Sequence, residues 1–251
     1  MWSLGGKVSG NSVWRGTTVH DRGGLVFCKR MERALADQQP EMEPGASECE
    51  DMRGLATAVR MLAEDNTCQR VMLPVGMETV ERSGARYADV IMGLPLHVRS
   101  KILVELRQGG ESVPKACSEF AQALQMQASM SVAAWVRCDR TEFVNEVMDG
   151  LSPAILVIDG SCLRWAMSSG DRSCYIDAVE AASQGGAMVL AAGVDSEEDL
   201  ISMNEIGVEL VHGRWWQKAS YVEEPKGHGA PGLPEQHERR KRARGWPDAF
   251  A

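Results

Sequence analysis

At 251 residues, 44% hydrophobic and 25% charged, the chain has the composition of an ordinary globular protein, with enough apolar material for a core without staples. Its net charge of -8 argues against a folded body that binds nucleic acid, since phosphate binding needs a positive surface. No apolar stretch approaches the roughly 18 residues of a membrane span, and Met1–Gly10 lacks the order of a signal peptide, so a cytoplasmic location is expected.

In chain order, Asp37–Asp51 is acidic and proline-containing and reads as a loop. Leu55–Asp65 then places Leu55, Ala58, Val59 and Leu62 at the one-face spacing of a helix. Six short apolar runs follow: Val71–Val75, Ile102–Leu106, Val132–Val136, Ile155–Ile158, Ala187–Ala191 and Val208–Val211. Each is too short for a buried helix, and several are β-branched, which predicts strands. Between them, Pro114–Met126 opens on a proline, whose missing N–H costs nothing at a helix start. Ser196–Glu205 has Asp195 or Ser196 as cap, acids in its first turn, and Gly207 as a stop.

From Glu223 onward the chain is rich in Gly, Pro and charge with little to bury, which predicts a folded domain over 1–222 and a disordered basic tail over 223–251. Within that tail Glu238–Arg244 reads ERRKRAR, a run that suits acidic proteins, RNA or anionic lipid, or is a solvated tail.

Strand–helix alternation at this spacing means parallel strands joined by helical crossovers, an α/β fold. A (β/α)8-type barrel fits better than a doubly wound sheet, because no glycine-rich phosphate loop follows the first strand. The N-terminal region is left to supply the remaining strands. The seven cysteines (Cys28, Cys49, Cys68, Cys117, Cys138, Cys162, Cys174) form no Cys-x-x-Cys, and no histidine lies at ligand spacing. Reduced thiols are therefore expected, with no metal and no cofactor.

Five segments, in order, carry a resemblance. GGAMVLAAGVDSEEDLISMNEIGVELVHGRWW (Gly185–Trp216) is similar to the closing part of the EAL family, bacterial cyclic-di-GMP phosphodiesterases with A-E-G-V-E, a helix, then G-x-D-x-x-Q-G. LSPAILVIDGSCL (Leu151–Leu163) resembles that family's L-P-x-D-x-L-K-I-D, SKILVEL (Ser100–Leu106) its E-x-T-E strand, and RVMLPVGMETV (Arg70–Val80) its L-x-V-N-x-S strand. GKVSGNSVWRG (Gly6–Gly16), then GGLV (Gly23–Val26), parallels its G-x-V-x-G-x-E-A-L opening and the turn after it. The resemblance implies an eight-stranded barrel with one antiparallel strand and a site at the C-terminal strand ends. It also implies that the family's opening strand, with an aromatic-Q-P-I pattern, is truncated here to Met1–Leu4 or missing, which leaves barrel closure open.

The family's hydrolysis requires divalent metals held by several converging oxygen ligands, mostly carboxylates. Carried over residue by residue, the Glu of E-A-L falls on Ser12 and the Asn of N-x-S on Gly76. The paired aspartates of D-D-F-G fall near Val136 and Arg137, with Asp139 the nearest acid. The Lys of K-I-D falls on Val157, although Asp159 is kept; the Glu of A-E-G falls on Ala192, with Asp195 the next acid; the Gln of Q-G falls on His212, with Gly213 kept. Only Glu105 stands at such a position with its carboxylate intact, and one carboxylate does not assemble a two-metal site.

The expectation is therefore a degenerate, non-catalytic barrel that serves as a regulatory or protein-interaction module in cyclic-di-GMP signalling, with an unnamed protein partner. A weak phosphodiesterase and a metal-free cyclic-di-GMP receptor are the alternatives. Glu105 is expected to pair with a base such as Arg137. Arg15, Arg164 and Arg214, just beyond predicted strand ends, are candidate phosphate donors or plain solvated arginines. His212 reads as a rim residue, and Cys138 and Cys162 as small buried groups. Trp14, Trp135, Trp165, Trp215 and Trp216 give the same loops aromatic weight, either filling vacated volume or anchoring a partner.

Overall fold

The computed structural model describes residues 13–34, 46–64, 70–107, 112–138 and 141–215. All belong to one unit, Met1–Gln217. The expectations for Met1–Leu4, Ser12, the first part of the acidic stretch, Asp139, Trp216 and the tail lie outside the described residues.

A hairpin of β1 (Val13–Asp21) and β2 (Val26–Ala34) leads into α1 (Ala46–Glu64), β3 (Val71–Gly76), α2 (Met77–Met92) and the short α3 (Leu96–Arg99). Then come β4 (Ile102–Arg107), α4 (Lys115–Ala128), β5 (Val132–Val136), α5 (Thr141–Leu151) and β6 (Ile155–Ile158). The chain continues through α6 (Gly160–Ser169), α7 (Ser173–Gln184), β7 (Met188–Ala192), α8 (Glu197–Glu205) and β8 (Leu210–His212). The eight strands close a barrel in sequence order. β1 is antiparallel to both of its neighbours, and every other pair is parallel.

The six strands read from apolar runs are β3 to β8. The opening of the barrel differs from expectation. No strand of the closed ring is missing, because β1 is nine residues long and runs beside both β2 and β8. The turn that makes this possible is local: Asp21 Oδ1 accepts from the N–H groups of Gly23 (2.9 Å) and Leu25 (2.8 Å), and Gly24 takes φ 79°. GGLV is thus the corner of a hairpin, and the segment before it is a strand.

The acidic stretch also needs correction at its end. Residues 46–51 are helical, the first turns of α1, and Glu50 and Asp51 are buried rather than solvated in a loop. Asp51 is held there by work: its Oδ2 accepts from Gly76 N–H (3.2 Å) and tethers the start of α2 to α1. The two other helices read from sequence are α4, with Pro114 at its N-cap, and α8. The α8 start is a capping box, in which Ser196 accepts from Asp199 N–H and Asp199 accepts from the backbone of Ser196.

Strand alternation divides the core. Val71, Leu73, Val104, Leu106, Val132 and Val136 face outward and pack on the helices. Val19, Cys28, Met72, Leu103, Ala133, Val157 and Leu190 fill the barrel interior. At roughly 1.5–3 kcal/mol for each fully buried aliphatic side chain, both layers are needed to offset the entropy of ordering the chain.

Candidate functional site

The inward-facing positions that follow the interior layer reach the rim formed by the C-terminal ends of the parallel strands, where barrel sites are built. On β2 the residue two beyond Cys28 is Arg30, and then Glu32. On β4 Leu103 is followed by Glu105 and Arg107. On β8 Leu210 is followed by His212. The antiparallel β1 brings its earlier residues to this rim, among them Thr17.

These residues form one connected cluster. Arg30 donates from Nε to Glu105 Oε2 (2.7 Å) and from Nη2 to Oε1 (2.5 Å), and Arg107 Nε donates to the same Oε1 (3.0 Å). The Arg30 and Glu105 side chains are 5% and 0% exposed, whereas Arg107 is 40% exposed. Burial alone would push the Glu105 carboxyl up, but the Arg30 charge and then the Arg107 charge overcome it and hold the group at about 2. The sequence offered Arg137 as the base for Glu105; the partners found are Arg30 and Arg107.

Beside this cluster the Thr17 hydroxyl donates to Arg30 O (3.2 Å), which leaves its oxygen to accept from His212 Nε2 at 2.8 Å. Burial first, and the Arg30 charge second, hold His212 down at about 3, so the ring is neutral at pH 7. Its 3.4 Å approach to Glu32 Oε1 is therefore not an ion pair. His212 sits in the rim as a buried, satisfied polar group.

The other sequence candidates divide. Gly76, Val157 and Ala192 lie on the inward face of β3, β6 and β7, and none brings a donor side chain. Val136 is corrected: it faces the helix layer, because Ala133 and Trp135 occupy the inward register of β5. Asp159 is used as the cap of α6, accepting from Ser161 N–H at 2.7 Å. Asp195 is clamped by Arg214, through its backbone N–H (2.9 Å), Nε (3.0 Å) and Nη2 (2.6 Å), and these bonds hold its carboxyl low. Arg164 lies beside Gly193 and adds its charge to the same aspartate. Arg164 and Arg214 thus converge, as the sequence suggested, but on a protein carboxylate; the Arg15 side chain lies outside the described residues. Trp135 lines the interior, Trp14 packs on α1 near Gly54, and Trp165 is 48% exposed on α6.

The donor set does not suit divalent cations. Among the described residues no three His, Cys, Asp or Glu side chains gather closely enough to hold a metal ion. The carboxylate best placed at the mouth already accepts three hydrogen bonds from two guanidinium groups. Sequence reasoning missed Arg30, Arg107, Glu32 and Thr17. The alternation of Cys28, Arg30 and Glu32 with Phe27, Lys29 and Met31 was the available signal, and it is masked by charge on both faces of β2. No described helix is long and apolar enough to cross a membrane.

No protein-family model and no curated protein matches the sequence. Solved structures do match. LapD of Vibrio cholerae, comprising S helix, GGDEF and EAL, superposes with a TM-score of 0.68 at 12% identity. The match covers 82% of this chain and 53% of that one, so this chain spans about half the length of that structure. An EAL domain protein from Listeria monocytogenes gives 0.63 at 12% identity, covering 84% of this chain and 92% of its own. The EAL domain of FimX from Xanthomonas citri, solved in complex with c-diGMP, gives 0.62 at 16% identity, covering 81% and 85%. A closed barrel with one antiparallel strand, shared at these scores over four fifths of the chain, gives this protein the fold of the EAL domains.

Proposed function

We propose that the chain is a non-catalytic regulatory or protein-interaction module of cyclic-di-GMP signalling, built on an EAL-type barrel. With β1 in the place of the family's opening strand, the pattern G-x-V-x-G-x-E-A-L falls on Gly24–Glu32, matching at Gly24 and Val26. Its glutamate position then falls on Arg30 rather than Ser12. A guanidinium occupies the place of a metal-binding carboxylate and neutralises the one acid that remains, Glu105. This ion cluster is the observation that carries the reading: a carboxylate locked by two arginines lacks the free lone pairs a hard cation needs.

The test is hydrolysis of cyclic di-GMP by the purified chain with excess magnesium or manganese. No turnover above buffer is expected. Turnover that Glu105→Gln abolishes would refute the proposal and restore the phosphodiesterase alternative. A second reading, a metal-free receptor for cyclic di-GMP, draws on the part-exposed Arg107 beside the interior-lining Trp135, a cation and a stacking surface. Calorimetry with cyclic di-GMP at low and moderate salt, without metal, separates the two: weak or absent binding fits the interaction module, and submicromolar affinity fits the receptor.

A further inference from the structure

Three thiols from three separate turns meet behind the rim of β5 and β6. Cys138 follows β5, Cys162 lies in the first turn of α6, and Cys174 lies in the first turn of α7. The Cys138 and Cys174 sulfurs are 3.4 Å apart, in van der Waals contact. Cys138 N–H donates to Cys162 Sγ at 3.1 Å. The three differ in access: Cys138 and Cys162 are buried, whereas Cys174 is half-buried. The buried Tyr175 hydroxyl, beside the same sulfurs, has no hydrogen-bond partner among the described residues.

We infer that Cys138 and Cys174 form a dithiol that a peroxide converts to a reversible disulfide. The geometry favours this pair. A disulfide places its sulfurs about 2.05 Å apart, so the observed pair must close by roughly 1.4 Å, within reach of side-chain rotation. Cys174 is the sulfur that an oxidant reaches first. Its thiolate attacks one peroxide oxygen; the O–O bond breaks and the departing hydroxide takes up a proton and leaves as water. The resulting Cys174 sulfenic acid is attacked by the Cys138 sulfur, the S–O bond breaks, and the Cys138 proton leaves with the hydroxyl as a second water. Two thiols lose two electrons, and one peroxide is reduced to two waters. A dithiol reductant reverses the bond by exchange.

The neighbouring Cys162 sulfur first, and burial second, keep the Cys138 thiol protonated, so oxidation starts at Cys174 and not inside the cluster. Once formed, the bond ties the turn after β5, at the barrel rim, to α7, with α5, β6 and α6 enclosed in the loop. This inference stands on the sulfur geometry and does not depend on whether the barrel binds a nucleotide.

The test uses the full-length protein at neutral pH with a small excess of hydrogen peroxide, followed by alkylation in denaturant, intact mass and a non-reduced peptide map. The expected product is about 2 Da lighter before alkylation, for the two hydrogens lost, takes up two fewer alkyl groups, and yields peptides joined through Cys138 and Cys174, all reversed by dithiothreitol. Cys138→Ala is expected to leave Cys174 as a sulfenic acid that dimedone captures, and Cys174→Ser to leave Cys138 reduced. The inference is overturned if Cys174 proceeds to sulfinic acid in wild-type protein while Cys138 stays alkylatable. It is equally overturned if the map joins Cys174 to Cys49 or Cys68, or joins Cys138 to Cys162. The wild-type map decides the matter without relying on the folding of either variant.

Discussion

Replacing Glu105 by Gln keeps the shape of the side chain and removes its charge, leaving Arg30, 5% exposed, as a buried cation with only the weaker field of Glu32 to offset it. Breaking a buried pair in this way costs about 3–5 kcal/mol. The shift of the Glu105 pKa gives a second route to a similar magnitude. The Glu105 carboxyl falls from its ordinary 4.5 to about 2 on folding, which corresponds to about 3 kcal/mol of stability from this one group. The group is fully buried, so solvent screening does not discount that figure. Because the folded value is the lower one, the contribution is complete above pH 4.5 and is lost as the pH falls toward 2. Urea unfolding at pH 7 should therefore show Glu105→Gln destabilised by about 3 kcal/mol, and the variant should lack the wild type's loss of stability between pH 4.5 and 2. Replacing both partners, Arg30→Met with Glu105→Leu, should recover most of the loss, since no unpaired charge remains inside. A cost below about 1 kcal/mol for Glu105→Gln, or additive losses in the double variant, would show that the cluster is as weak as an exposed pair.

His212 carries its own pH signature. Its folded value of about 3 lies below the ordinary 6.5, so the unfolded chain takes up the proton first and stability declines as the pH drops below 6.5. His20 is shifted in the same direction by burial. His212→Asn should therefore flatten, without abolishing, the slope of stability between pH 6.5 and 4.5, where Glu105 is silent. Gly193→Ala should cost about 2 kcal/mol or more, because Gly193 has φ 77° and a Cβ there would stand 2.9 Å from the Gly160 Cα; thermal unfolding measures it. Truncation after Val222 should leave the melting temperature of the barrel unchanged, since the removed segment has few apolar residues to bury; a drop of several degrees would show otherwise.

β3 to β8 were legible because a strand buried on both faces in a parallel barrel is apolar at most positions, as in Ile155–Ile158. The opening hairpin was not, for a physical reason. At β2 the interior is lined by Arg30 and Glu32 and closed by an ion cluster, so VFCKRMERA has no apolar run to find. The same cause hid the site. Glu105 was visible as a lone acid in an apolar strand, but its partner lies 75 residues earlier, in a strand whose existence depended on recognising Asp21–Leu25 as a tight turn. The Cys138–Cys174 contact was invisible for another reason: it joins two turns separated by α5, β6 and α6, and spacing along the chain says nothing about it.

The hairpin β1–β2 is attached to the rest of the ring by narrow seams. β1 and β2 pair with each other at eight positions. β1 meets β8 only at His20↔Val211 and Asp21↔Leu210, and β2 meets β3 only at Lys29↔Val71 and Arg30↔Met72. Four registered positions, the Thr17–His212 bond, the Arg30–Glu105 clamp and Arg22, whose guanidinium donates to the carbonyls of Val208 and Gly207, are the main ties of this two-stranded stave to the eight-stranded wall. Such a stave is expected to open as a unit before the wall does. Its outward-bonded amides should exchange with deuterium through a partial opening, at a lower free energy than the amides of β4, β5 and β6. Each such opening would admit water to the barrel interior while leaving the remaining six strands paired.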